Sequence, residues 1–141
     1  MKTHGLIPVL CIFVSMFLLN GCGGKKYADA KKVTNDYINA MDEMATKLDK
    51  AANAGDVAEA INRYTDKMEK LLPKMKEIKD KYPELNNTNN YPEELKDLQE
   101  KATATSKKYA SSMMKMMSYM NDPQVQKAQE HMTQMMMKYQ E

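Results

Sequence analysis

From Val57 to Tyr82 the large apolar residues fall at Val57, Ile61, Tyr64, Met68, Leu71, Met75, Ile78 and Tyr82, in steps that alternate four and three without a slip. Such steps keep side chains on one stripe of an α-helix, whereas a strand needs alternation at every second residue. A greasy stripe must be buried against another, and this spacing is that of helices packed at small crossing angles. The same pattern recurs three times. The first segment offers Tyr27, Ala30, Tyr37, Met41, Met44, Leu48 and Ala51; the third offers Leu95, Leu98, Ala102, Tyr109, Met113, Met116 and Met120; the fourth offers Val125, Ala128, Met132, Met135 and Tyr139. No stretch of strand length alternates with period two, so the expected fold class is all-α.

Three punctuation sites separate the stripes: Asn53-Ala54-Gly55-Asp56, Pro83 to Pro92 (PELNNTNNYP), and Asn121-Asp122-Pro123. Gly and Asn suit helix C-termini, Asp suits an N-cap, and Pro suits a first helical turn. Asp56 with Glu59 has the spacing of a capping box. The expected helices are therefore about 27–53, 56–82, 92–120 and 123–140. Pro73 lies within the second with the apolar phase unbroken on both sides, which predicts a kink and not a break. Short turns near Gly55 and Asn121 favour antiparallel neighbours. The economical arrangement over residues 27–141 is an antiparallel up-down-up-down four-helix bundle.

Residues 1–21 read as an address and not as part of that fold. Lys2 is followed by an uncharged apolar run from Leu6 to Leu19 (LIPVLCIFVSMFLL), 14 residues long. A membrane-spanning helix needs about 20, so the run fits the core of a signal peptide. Leu19-Asn20-Gly21-Cys22 comes directly after it and resembles the lipobox of bacterial lipoproteins. The resemblance implies cleavage before Cys22, thioether attachment of a diacylglycerol to that Cys, and acylation of the new amine. Gly23, in place of the Asp that marks inner-membrane retention, resembles the sorting pattern of outer-membrane lipoproteins. Together these resemblances imply a periplasm-facing envelope protein tethered through residues 22–26 to a membrane, the outer membrane before the inner.

The residues available for chemistry are few. Cys11 would leave with the leader and Cys22 would be used by lipid. Outside the leader the chain has one His, His131, and three glycines, Gly23, Gly24 and Gly55. A Cys-His set and a Gly-rich phosphate loop are therefore not expected, and with His131 as the one imidazole no Ser-His-Asp set stands out. Asp and Glu alternate with Lys on the polar faces, as in Lys76-Glu77-Lys79-Asp80-Lys81, which reads as solvated surface. Lys and Arg total 21 against 19 Asp and Glu. That near balance argues against a nucleic-acid binder driven by bulk charge. The expectation is a non-enzymatic protein with no cofactor, working by binding or structural support, with an envelope protein as its candidate partner.

Methionine is the compositional outlier, 15 residues of 141. Nine lie between 113 and 137, on the last two helices. Two readings stand side by side. Met fills irregular core gaps, and Met113, Met116, Met120, Met132 and Met135 already have stripe spacing. Thioether sulfur is also a soft ligand suited to Cu(I) or Ag(I), and imidazole can join it. If the two helices face each other about the turn near 121, Met113 comes level with His131, and His131 lies one turn from Met135. A soft-metal site of His131, Met135, Met113 and Met117 is the alternative function. Met114 and Met137 fall off the stripes and offer an adaptable partner face.

Lys47 to Arg63 (KLDKAANAGDVAEAINR) and Val125 to Gln129 (VQKAQ) resemble the first hairpin and the last helix of the small periplasmic b-type cytochromes that are themselves four-helix bundles. The resemblance implies the bundle fold, and a haem held by a Met of the first helix, here Met41 or Met44, and a His near the end of the fourth. That His is missing: the chain ends Met137-Lys138-Tyr139-Gln140-Glu141, and His131 lies about two turns earlier. Haem binding is thus the second alternative, and the resemblance speaks for the fold more than for the cofactor.

Overall fold

The computed structural model of the chain describes residues 26–86 and 92–139. The leader over 1–21, Cys22 and the tether up to Lys25 lie outside these residues. Four helices make up the described chain: α1 (Ala28–Lys50), α2 (Ala54–Lys81), α3 (Lys96–Met117) and α4 (Pro123–Lys138), with 3-10 turns at Pro83–Asn86 and Glu93–Leu95. No strand occurs among the described residues, and the helices pack as a bundle. None of them is long and apolar enough to cross a membrane.

The ends of the helices are set by local hydrogen bonding. Asn53, and not Asp56, caps α2: its side-chain oxygen accepts from the Asp56 amide at 3.0 Å, while Asp56 Oδ2 accepts from the Ala52 amide at 2.8 Å. The reciprocal pair has the logic of a capping box, begun three residues earlier than Asp56-Glu59 would place it. Asp122 caps α4 as its sequence predicts, accepting from the Gln124 amide at 2.9 Å with Pro123 in the first turn. The helix α2 runs through Pro73 without a break. Before α3, Glu93–Leu95 forms a 3-10 turn, so the α-helix proper starts at Lys96. After Met117, tight bonds from Tyr119 to Met116 and from Met120 to Met117 close the end of the helix. Met120 therefore leaves the stripe and is exposed.

The helices that pack most extensively are α1 with α2, α1 with α3, and α2 with α4. Consecutive α3 and α4 share no comparable packing, so the expected methionine hairpin does not form face to face. The reason lies in which stripes fit. Buried positions of α3 include Leu98, Thr105 and Ser112, seven residues apart, a narrow seam of small groups. The facing α1 buries Ala30 beside Leu95 and Leu98. Cross-links fix the register of that pair: Lys31 to Asp97 at 3.2 Å, Lys108 to Asp42 at 2.7 Å, and the Tyr119 hydroxyl donating to the Ala52 carbonyl at 3.2 Å. Val125, Ala128 and Met135 of α4 turn instead toward α2, where Tyr139 donates to the Glu69 carbonyl at 3.3 Å.

Three apolar clusters result. The largest draws on all four helices and holds Met44, Leu48, Val57, Ile61, Met116 and Val125. A second joins Ala40, Met68, Leu71 and Met135. The third gathers Tyr27, Ala30, Ile38, Tyr82, Leu95 and Leu98 at the end where the chain enters α1. The buried hydroxyls of Thr65 and Ser112 donate to carbonyls of their own helices, Ile61 at 3.0 Å and Tyr109 at 2.8 Å. No buried side-chain polar atom among the described residues lacks a partner.

The third cluster is closed by a polar clasp. The rings of Tyr27 and Tyr82 tilt against each other at 5.2 Å between centroids. The Tyr82 hydroxyl has two acceptors, the Lys26 carbonyl at 2.6 Å and Asp29 Oδ1 at 2.8 Å, and shares its proton between them. The Tyr27 hydroxyl donates to Glu84 at 2.9 Å, and Lys26 pairs with the same carboxylate oxygen at 3.0 Å. Lys81 hydrogen-bonds Asp29. Its donation, with that of Tyr82, holds the Asp29 carboxyl down at about 2, and Glu84 is likewise lowered, by its backbone amide and then by Lys26 and Tyr27. A depressed carboxyl contributes stability above its unfolded pKa of roughly 4 and loses it as pH falls toward the folded value. The thermal midpoint is therefore expected to be level above about pH 5 and to fall between about pH 4 and pH 2. Asp29→Asn should make that fall shallower; an unchanged acid limb in Asp29→Asn would show that the clasp does not couple to folding.

Candidate functional site

The last two helices carry the chain's chemically distinctive surface. Their stripes are narrow, so most of each helix faces solvent, and methionines occupy much of what is left over. Met114 is 72% exposed, Met117 and Met137 are each 62% exposed, and Met120 and Met136 are exposed as well. No Leu, Ile, Val or Tyr among the described residues is exposed. Every large apolar side chain that the described fold presents to water is thus a methionine, and all of these lie on α3, on α4 or in the turn between them.

The remaining methionines are sorted inward. Met44, Met68, Met116 and Met135 are buried, Met44 to 1% exposure, and Met41, Met75, Met113 and Met132 are half-buried. Beside Met113 and Met132 lie tyrosines contributed by three helices. Tyr64 of α2 is pushed well above the usual phenol range, first by burial and then by its neighbours Tyr37 of α1 and Tyr109 of α3. Tyr109 is raised in the same way. These phenols stay neutral in the ordinary pH range and serve as apolar rings with a hydrogen-bonding tip.

The four residues offered as a soft-metal set occupy different surroundings. Met135 is buried in the cluster with Ala40, Met68 and Leu71. Met113 is half-buried against the cluster of Met44 and Ile61. Met117 and His131 are exposed and belong to neither. Among the described residues no group of three or more His, Cys, Asp or Glu is placed to hold a metal ion. Of the methionines implied by the cytochrome resemblance, Met41 is half-buried and Met44 is buried. Met44 is sealed among Leu48, Val57 and Ile61, whereas His131 faces solvent on α4.

Sequence periodicity places Met114 and Met137 off the stripes. It does not single out Met117, Met120 or Met136 as surface residues, and it places Met120 on the stripe because it carries the third helix past Met117. A shallow cleft of about 420 Å³ at the other end, lined by Lys31, Lys32, Asn35, Asp97 and Lys101, joins α1 to α3. It is open to solvent and its Lys31 is occupied by Asp97. Burial also escapes the apolar pattern at Thr65, Thr105 and Ser112. No protein-family model, curated protein or solved structure matches the chain.

Proposed function

We propose that this chain is a lipid-anchored protein of the bacterial cell envelope, held at Cys22 on the periplasmic side, with the outer membrane as its destination. Its helical bundle acts by binding or structural support and not by catalysis. The observation that carries the reading is the surface: among the described residues the exposed large apolar side chains are all methionines, gathered on α3, α4 and their connection. Unbranched thioether side chains adapt to a contacting surface without demanding a fixed shape, which suits a protein partner met at a membrane. The lipobox-like Leu19-Asn20-Gly21-Cys22 supports the anchoring. The topology that goes with it is a bundle with helices alternating in direction, in which α1 and α3, and α2 and α4, are same-direction neighbours. Paired residues that rise together along α1 and α3 support it.

The contact role is tested by site-specific photocrosslinking in intact cells. A photoreactive residue at position 117 or 137 is expected to give discrete crosslinked products. The same residue at Gln99, exposed on the opposite end of α3, should give none. Equal, diffuse products from all three positions would refute a methionine contact face.

A further inference from the structure

The choice of side chain at these exposed positions has a chemical meaning beyond contact. A surface selected for greasiness alone would use leucine or isoleucine as readily, yet the described fold exposes neither. What methionine has and leucine lacks is an oxidisable sulfur. The described residues contain no Cys and no Trp, so thioethers are the readiest two-electron donors the bundle offers. They are divided into an outer set, Met114, Met117, Met120, Met136 and Met137, an inner set, Met44, Met68, Met116 and Met135, whose members are 1 to 6% exposed, and four that are half-buried between them, Met41, Met75, Met113 and Met132.

We propose that the outer methionines are a sacrificial site for two-electron oxidants such as hypochlorous acid or hydrogen peroxide, and that their oxidation leaves the fold intact. The net step is R–S–R′ + HOCl → R–S(=O)–R′ + H⁺ + Cl⁻. The sulfur lone pair forms the new S–O bond, the sulfur loses two electrons, and chlorine accepts them as the O–Cl bond breaks. With hydrogen peroxide the O–O bond breaks and the second product is water. The position of each sulfur decides the consequence. A sulfoxide is polar and accepts hydrogen bonds, so on a solvated helix face water satisfies it. Formed at Met44 or Met116 it would put an unpaired dipole into the cluster around Ile61 and destabilise the bundle. The outer set lies on α3, on α4 and in the turn between them, within reach of solvent-borne oxidant and of a reductase that restores the thioether. The proposal does not depend on lipid anchoring or on a protein partner.

The test uses the full chain purified in detergent and titrated with hypochlorous acid, then analysed by intact mass, peptide mapping and circular dichroism. The expected result is that the first five oxygens add stepwise at the five exposed methionines, with helicity and cooperative melting retained. Met44, Met68, Met116 and Met135 should remain unmodified over that range. Sulfoxide reductases acting on both epimers should return the folded protein to its starting mass. A variant with all five replaced by Leu, whose helicity is measured first, is expected to lose its fold at an oxidant dose about five equivalents lower. A single Met117→Leu variant should lower that dose by about one equivalent, and serves if the multiple variant does not fold. Oxidation of the inner set at the same dose as the outer, or loss of helicity as the first sulfoxides form, would overturn the proposal. So would equal oxidant tolerance in wild type and the variants.

Discussion

Ile61→Ala is expected to lower the unfolding free energy by about 3 kcal/mol, the middle of the range for removing a fully buried branched side chain. Ile61 is 0% exposed and lies in the one cluster to which all four helices contribute. Its removal leaves a void bounded by Met44, Leu48 and Val57 on one side and by Met116 and Val125 on the other. Those neighbours sit on four separate rods tied by short turns over 51–53 and 118–122, so they cannot all close onto the gap. Flexible Met44 and Met116 will fill part of it, which keeps the expected loss below the upper end of about 5 kcal/mol. Alanine returns a few tenths of a kcal/mol through its helix propensity. For a domain of this size the midpoint should fall by roughly 10 °C. Met117→Ala, at an exposed site, should change stability by less than about 0.5 kcal/mol. Urea melts of both variants check the pair. Equal losses would show that the cluster around Ile61 is not the centre of the fold.

The contrast between those two substitutions marks how far the sequence is legible. The uninterrupted stripe of α2 predicts its buried face from Val57 to Leu71, because period and composition agree there. On α3 they part company. Thr105 and Ser112 look like surface residues by type, yet both are buried. Ser112 buries its hydroxyl at little cost because its own helix satisfies it. Periodicity says which face is inward but not which neighbour receives it. The turn at Asn121 suggests that α3 and α4 pair, and the packing instead distributes them to α1 and α2. The same ambiguity governs the methionines. Residues meeting across a hairpin would bring His131, Met113, Met117 and Met135 together; in the fold Met135 is buried, Met113 half-buried, and Met117 and His131 exposed. Asn53 escapes the pattern as a cap for a simpler reason. Two good capping residues, Asn53 and Asp56, stand three apart, and both are used.

Cys22→Ser is expected to abolish incorporation of labelled palmitate completely and, with the leader exchanged for one cleaved independently of lipid, to move the chain from the membrane pellet to the soluble periplasmic fraction. Acyl chains hold a protein additively. Each buried methylene contributes about 0.8 kcal/mol, so a single acyl chain holds a protein only marginally while two or three hold it stably. The lipobox-like tetrapeptide implies a diacylglycerol on the Cys22 sulfur and a further chain on its amine. Nothing in the described bundle substitutes for them. No described helix is long and apolar enough to cross a bilayer, and Lys26, Lys31 and Lys81, near the tether, are paired with Glu84, Asp97 and Asp29. Removing the sulfur therefore removes the whole attachment and not a fraction of it. The bundle itself should be unaffected, since Lys26 onward folds around its own clasp and clusters. The released chain is expected to melt at the temperature of the detergent-solubilised wild type and to retain its helicity. Palmitate labelling that survives the substitution would refute anchoring at Cys22. A released chain that melts far lower would show instead that the lipid is part of the fold.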